Sequence, residues 1–320
     1  EGCDHGCAFC AIPLMRGRHR SFALADVVRD AQLLELQGAR EVNLVAQDLA
    51  HYGRDRRDGI GLPELLEALV RETSIPWFRN LYLYSAGITP RFLEVVAANP
   101  RILPYLDMPI QHGSDPVLAR MRRPERQATI REKVRRFRAL VPDLTIRTTC
   151  IVGFPGETDD DFAILLDFLQ ELQFDRVGAF AYSPQEGTRA FDLADDVPEE
   201  VKRARLERLQ QLQLAITAER YERHVGRTAT LLVERAADDG EPALARAPWQ
   251  ADDIDGLVRL DADAPVGAFV EATITAVVDD VDFEARLLRV ASPPVPAMTA
   301  RPARALPVTT LPTTIGSFGR

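Results

Sequence analysis

The sequence predicts an α/β fold built on a parallel sheet, followed by a smaller β-rich segment. Apolar runs of strand length alternate with amphipathic helical stretches as far as about residue 224. From 226 onward the helical pattern gives way to short β-rich runs. The chain has 320 residues, of which 46% are hydrophobic, enough for one large domain and a small one, each with a core. Strands that alternate with helices at this spacing pair in parallel through right-handed crossovers. Five such strands are visible, and they suit either a doubly wound sheet or part of a barrel.

The elements follow in order. Residues 24–38 form a helix: Leu24, Val27, Val28 and Ala31 fall at i, i+3, i+4 and i+7, and Gly38 suits the C-cap. Residues 41–46 form a buried strand through Val42, Leu44 and Val45, which runs into Gln47 and Asp48. Helices over 63–71 and 90–98 flank a strand over 80–84, and a strand over 105–110 leads into Gln111-His112-Gly113-Ser114. Two helices cover 116–121 and 126–141. Residues 145–152, mostly β-branched, make the next strand. Thr158 and Asp161 form a capping box ahead of a helix whose apolar stripe is Phe162, Leu165, Leu166 and Leu169. Residues 175–182 are the last strand of the series. A long helix then starts at Pro198, which suits a first helical position, and carries Leu209, Leu212 and Ile216 on one face to about residue 224. Beyond it, 228–233, 256–260 and 269–278 are β-rich. The expected domains are therefore 1–225 and 226–292. The tail over 293–320, rich in Pro, Ala and Thr with little periodicity, is expected to be disordered.

Chemistry concentrates at the start of the chain, where Cys3, Cys7 and Cys10 are spaced C-x3-C-x2-C. A loop this short can turn three thiolates toward one point. Structural zinc takes four ligands and an iron-sulfur cubane is usually held by four cysteines, so three leave one coordination position open. Gly2 and Gly6 suit a loop that wraps closely around a cluster. The alternative from the same residues is a zinc site completed by His5 or His19. Cys150, the one other cysteine, is read as a small core residue, and four cysteines in this pattern make no disulfide framework. With no apolar run of membrane-span length and no targeting pattern at the start, the sequence is read as cytoplasmic.

The spacing, with Phe9 at the aromatic position of C-x3-C-x-aromatic-C, resembles the signature of the radical S-adenosylmethionine (SAM) superfamily. That resemblance implies a partial, open TIM-like β/α barrel. It also implies one 4Fe-4S cluster on Cys3, Cys7 and Cys10, its fourth iron open to chelation by the amino and carboxylate groups of SAM. In either sheet architecture, functional residues sit at the C-terminal ends of strands. The candidates for holding SAM are Phe9, Gln47, Ser85, Gln111, Arg147 and Gly153. Arg147 is chosen because a charge inside an apolar strand must be paired, and the SAM carboxylate is an available partner. For His112 a structural role, hydrogen-bonded within the fold, is at least as well supported as a ligand role.

Further runs narrow the resemblance. Tyr105-Leu106-Asp107-Met108-Pro109-Ile110-Gln111-His112, Met121-Arg122-Arg123-Pro124, Thr148 through Thr158, and Tyr182-Ser183-Pro184-Gln185-Glu186-Gly187-Thr188 are similar to the radical SAM methylthiotransferases. These enzymes replace a C-H bond by C-S-CH3. The branch that resembles this chain most modifies the β-carbon of an aspartate in small-subunit ribosomal protein twelve; the alternative is the branch that modifies adenosine in tRNA, or another radical SAM enzyme. The resemblance implies that SAM, cleaved at the reduced cluster, yields a 5'-deoxyadenosyl radical that abstracts the substrate hydrogen. A second SAM serves as methyl donor, and a reductant such as flavodoxin or ferredoxin supplies electrons.

Residues 226–292 resemble the TRAM domain of that family, a small β-barrel that docks substrate. This segment holds six arginines and fourteen acidic residues, a net charge of minus eight against minus nine for the whole chain. A barrel that binds RNA gains affinity from Lys and Arg against phosphates, so the acidity points to a basic protein partner and away from RNA. Asp252, Asp253, Asp255, Asp279, Asp280 and Asp282 are the expected docking residues. The family carries a second, auxiliary cluster on three more cysteines of an N-terminal domain. This sequence starts at the loop after the first barrel strand, without those ligands, and Cys150 cannot replace them. The expectation is that the chain alone binds one cluster and cleaves SAM without inserting sulfur, and that the missing first strand leaves an exposed sheet edge.

Overall fold

A computed structural model describes residues 1–293. Five strands, β1 (Glu41–Leu44), β2 (Trp77–Asn80), β3 (Ile102–Asp107), β4 (Thr145–Val152) and β5 (Arg176–Ala181), form one sheet in the order β1-β2-β3-β4-β5. Every neighbouring pair is parallel. The order never reverses, so the sheet has no switch point and winds as part of a barrel, not as a doubly wound sheet.

Helices α1 (Ile12–Arg16), α2 (Leu24–Leu36), α3 (Leu62–Glu72), α4 (Pro90–Ala98), α5 (Asp115–Arg120), α6 (Gln127–Leu140), α7 (Asp159–Leu172) and α8 (Glu199–Glu222) complete this part. The apolar stripes of the helices meet the sheet in one core. Leu65, Leu66 and Leu69 of α3, Phe92 of α4, Val134 of α6 and Leu165 of α7 pack there against Phe78, Leu106 and Ile146 of the strands. α7 opens on the capping box, with the Thr158 side chain accepting from the Asp161 N–H at 3.1 Å.

Two strands lie three residues earlier than the sequence suggests. Residues 80–84 are expected as strand, yet β2 is Trp77–Asn80, because Arg79 is fully buried inside it and an interior charge hides the apolar signal. Residues 105–110 are expected likewise, yet β3 begins at Ile102 and ends at Asp107. Pro198 caps α8 from outside instead of occupying its first position.

The second part is a closed five-stranded barrel of β6 (Thr228–Arg235), β7 (Leu244–Arg246), β8 (Val258–Leu260), β9 (Phe269–Val278) and β10 (Asp282–Ser292), in the order β10-β8-β7-β6-β9. β7 and β10 are not visible in the sequence. In β10 Phe283 and Ala285 point inward while Glu284 and Arg286 are exposed, so the charges mask the alternation. The barrel packs on the sheet through Trp77, Leu81, Leu103 and Tyr105 on one side and Leu232, Ala251 and Phe269 on the other. The tail beyond 293, expected to be disordered, lies outside the described residues. Among the described residues no helix is long and apolar enough to cross a membrane.

Candidate active site

The cysteine loop is fastened by its backbone. Gly2 N–H donates to Gln47 Oε1 at 2.7 Å, Cys3 N–H to Gly17 O at 3.2 Å, and Ala8 N–H to Met121 O at 2.9 Å, while Ala8 O accepts from Ala190 N–H at 2.8 Å. Gly2 has φ +76°, and a Cβ there would lie 2.1 Å from the Arg18 carbonyl oxygen. His5 stacks on Tyr84 with ring centroids 3.7 Å apart. Its Nε2 lies 2.6 Å from Asp48 Oδ2, and His51 Nδ1 bonds the same oxygen. Burial alone would raise the Asp48 carboxyl, but the bonds from both histidines pull it well below the usual range.

Cys3, Cys7 and Cys10 form no disulfide and are half-buried, and all three line one cavity of about 120 Å³. Phe9 and Gln47 share its wall, with Tyr82 and Tyr84 from beyond β2 and Pro109 and Gln111 from beyond β3. The cavity thus sits at the C-terminal mouth of the sheet. Burial pushes the Cys3 thiol up to about 11, with Asp48 and the two other thiols adding to it. Binding of iron at these sulfurs therefore releases protons. The donor set, three thiols at one cavity with an aromatic wall, fits an iron-sulfur cluster with three protein ligands. Cys150 is fully buried in β4, and burial pushes its thiol up, so it supplies no fourth ligand. Of the two histidines of the zinc alternative, His5 lines the cavity with its Nε2 on Asp48, whereas His19 is not part of the wall and places Nε2 3.2 Å from Ser21 Oγ.

Of the residues expected at SAM, Phe9, Gln47 and Gln111 are brought together and three are not. Arg147 finds its partner within the chain: Nη1 donates to Asp107 Oδ1 at 3.0 Å across β3 and β4, so no cofactor carboxylate is needed to balance it. Ser85 is buried and donates to Glu125 Oε1 at 2.5 Å. Gly153 lies outside the cavity wall; its φ of +70° and the approach of Lys202, whose Cγ would be 2.3 Å from a Cβ, account for the glycine. His112 is fully buried and accepts from Ser114 N–H at 2.9 Å, a structural histidine.

The docking set also needs correction. Asp255 is fully buried, accepting from Tyr105 O–H at 2.6 Å and paired with Arg176 at 3.3 Å, so it ties the barrel to the sheet and faces no partner. Asp282, half-buried, accepts from Leu257 N–H at 2.9 Å and from Arg259 at 3.2 Å, and Asp279 pairs with the same arginine. Asp252, Asp253, Asp279 and Asp280 are exposed.

Sequence reasoning missed Arg123, which lines the cavity and places Nη1 3.7 Å from Cys7 Sγ. Its position in Met121-Arg122-Arg123-Pro124, just past an apolar helix end, was the available signal. The Asp48 bridge between His5 and His51 was missed as well, because His51 ends a three-residue 3-10 turn, Leu49–His51, too short to show periodicity.

The family model described as "Radical SAM superfamily" matches residues 1–169, and the model described as "TRAM domain" matches residues 225–288. Ribosomal protein uS12 methylthiotransferase RimO from Syntrophotalea carbinolica is 46% identical over 277 residues, which cover 86% of this chain and 61% of that protein. The proteins of the same name from Synechocystis sp. and Geobacter sulfurreducens are 42% and 43% identical, over 88% and 89% of this chain and 63% of each relative. The chain thus spans about three fifths of the length of the curated relatives it matches. With the family model covering more than half its length, this chain belongs to the radical SAM superfamily and carries a TRAM domain behind its barrel.

Proposed function

We propose that this chain is the radical SAM and docking portion of a methylthiotransferase that acts on the β-carbon of an aspartate in small-subunit ribosomal protein twelve. The observation that carries it is the convergence of Cys3, Cys7 and Cys10 on one cavity at the mouth of the sheet. Relatives that bear the uS12 methylthiotransferase name, similar along nearly the whole of this chain, support the choice of substrate. Cys3, Cys7 and Cys10 would hold the 4Fe-4S cluster, and Phe9, Gln47 and Gln111 would meet SAM on its open iron. When bound, the cluster and SAM supply one-electron reduction and a radical able to abstract an unactivated hydrogen. The chain's own task is placement: Gln47 and Met121 pin the loop, and Phe9, Tyr82 and Tyr84 give the cavity an aromatic wall beside the thiols. The exposed carboxylates Asp252, Asp253, Asp279 and Asp280 would draw a basic protein to the barrel. A flavodoxin or ferredoxin would serve as electron donor.

Anaerobic reconstitution tests the reading. About four irons and four sulfides per chain, with a reduced electron paramagnetic resonance (EPR) signal that shifts on adding SAM, are expected; zinc without iron would refute it. Binding to the basic ribosomal protein should be tighter than to tRNA and weaken with salt, and the reverse preference would favour the tRNA branch. Because Cys150 is the one cysteine outside the triad, mass spectrometry should find no methylthiolated substrate from this chain alone.

A further inference from the structure

Arg123 is placed with unusual care for a residue outside the cysteine loop. Two residues past α5, Arg122 takes φ +57°, and Arg123 N–H donates to Leu118 O at 2.8 Å, a helix stop that turns the next side chain inward. Arg123 is 4% exposed. Its Nη2 donates to Pro109 O at 2.9 Å and to Glu125 Oε1 at 3.2 Å, and the guanidinium lies 4.1 Å from the centre of the Tyr84 ring. Glu125, 5% exposed, is itself held by Ser85 Oγ at 2.5 Å and Tyr84 O–H at 3.4 Å. These contacts leave Nη1 at 3.7 Å from Cys7 Sγ, and Nε has no partner among the described residues.

A buried cation with donors to spare beside a cluster ligand has a definite electrostatic effect. A hydrogen bond to a ligating sulfur withdraws charge from the metal-sulfur bond, favouring the reduced, more negative cluster. We propose that Arg123 donates to the Cys7 thiolate of the bound cluster and sets its reduction potential, with Glu125 holding the guanidinium and opposing its charge. Arg123 acts through Cys7 and is a positioning residue. The inference rests on the cluster reading above.

The test is an EPR-monitored redox titration of the anaerobically reconstituted chain without SAM, with iron and sulfide counted in each sample. Arg123→Gln should keep the cluster and make its reduction about tenfold less favourable, a shift of about 59 mV to more negative potential for a one-electron couple. Arg123→Lys should shift it less, because the charge stays. Glu125→Gln, which removes an opposing negative charge while the Pro109 carbonyl and a glutamine amide oxygen still accept from Arg123, should move the potential the other way. Opposite signs support the proposal, since loosened packing would move both variants alike. A wild-type potential in Arg123→Gln overturns it, as does a shift of both variants in one direction. Should Arg123→Gln lose the cluster, Glu125→Gln decides, and no positive shift there overturns the proposal. If the unmodified chain takes up no four-iron cluster, the cluster reading fails first and the inference with it.

Discussion

At the scale of single residues, the loop depends on one glycine more than on its neighbours. Gly2 occupies φ +76°, and the three atoms a Cβ would meet within 3 Å all belong to the backbone of Gly17 and Arg18. Backbone cannot swing aside as the end of a side chain can. Gly2→Ala therefore combines about 1–3 kcal/mol of left-handed strain with a steric overlap that the loop must move to relieve. Its movement breaks the 2.7 Å bond from Gly2 N–H to Gln47. Iron and sulfide bound per chain after reconstitution should fall severalfold in Gly2→Ala, while the urea midpoint of the sheet and barrel changes little. Full cluster loading in that variant would show that the loop adapts.

At the scale of elements, α7 shows how much can be read ahead. Thr158, Asp161 and the stripe of Phe162, Leu165, Leu166 and Leu169 mark its start and its buried face by chemistry local to the segment. Thr158→Ala removes the side chain that accepts from Asp161 N–H and should cost about 1 kcal/mol in urea denaturation; no loss would mean the Asp161 side chain caps the helix alone. Local signals likewise expose β4, β9 and the triad Cys3, Cys7 and Cys10. What stayed hidden depends on contacts distant in sequence. β2 is obscured by Arg79, whose charge is met by Glu41 at 2.7 Å and Pro248 O at 2.8 Å. Arg147 demanded a partner, and Asp107 supplies it only once β3 and β4 lie side by side. Asp255 reads as one carboxylate of an acidic run, and only the seating of the barrel on the sheet reveals it as buried. Arg123 belongs with these, because its nearness to Cys7 spans more than a hundred residues.

At the scale of the whole molecule, a buried ionic chain joins sheet and barrel. Glu41 of β1 takes Arg79 of β2 at 2.7 Å and Arg246 of β7 at 2.6 Å, and Arg246 also holds Glu234 of β6 at 2.6 Å. Glu41→Ala leaves two buried guanidinium groups without their shared carboxylate and should cost about 3–5 kcal/mol in urea denaturation. A smaller loss would mean that water replaces the carboxylate. The same seam carries a pH response. His224, just past α8, is 4% exposed and stacked on Trp249 at 3.8 Å. Burial first, then the nearby Arg223 and Arg227, hold its pKa down to about 3, against the partial relief of Asp143. The imidazole is therefore neutral in the fold, whereas in the unfolded chain it titrates near 6.5. Between those values the unfolded chain binds the additional proton, so stability is complete above about 6.5 and is lost as pH falls toward 3. The slope contributed by His224 reaches about 1.4 kcal/mol per pH unit in that window. Between pH 7 and pH 5, the wild-type chain should lose about 2 kcal/mol more than His224→Gln, whose side chain does not titrate. The carboxylates and the other histidines titrate in both proteins and cancel in the comparison. Parallel losses in the two would mean that the seam opens far enough for His224 to protonate within the folded chain.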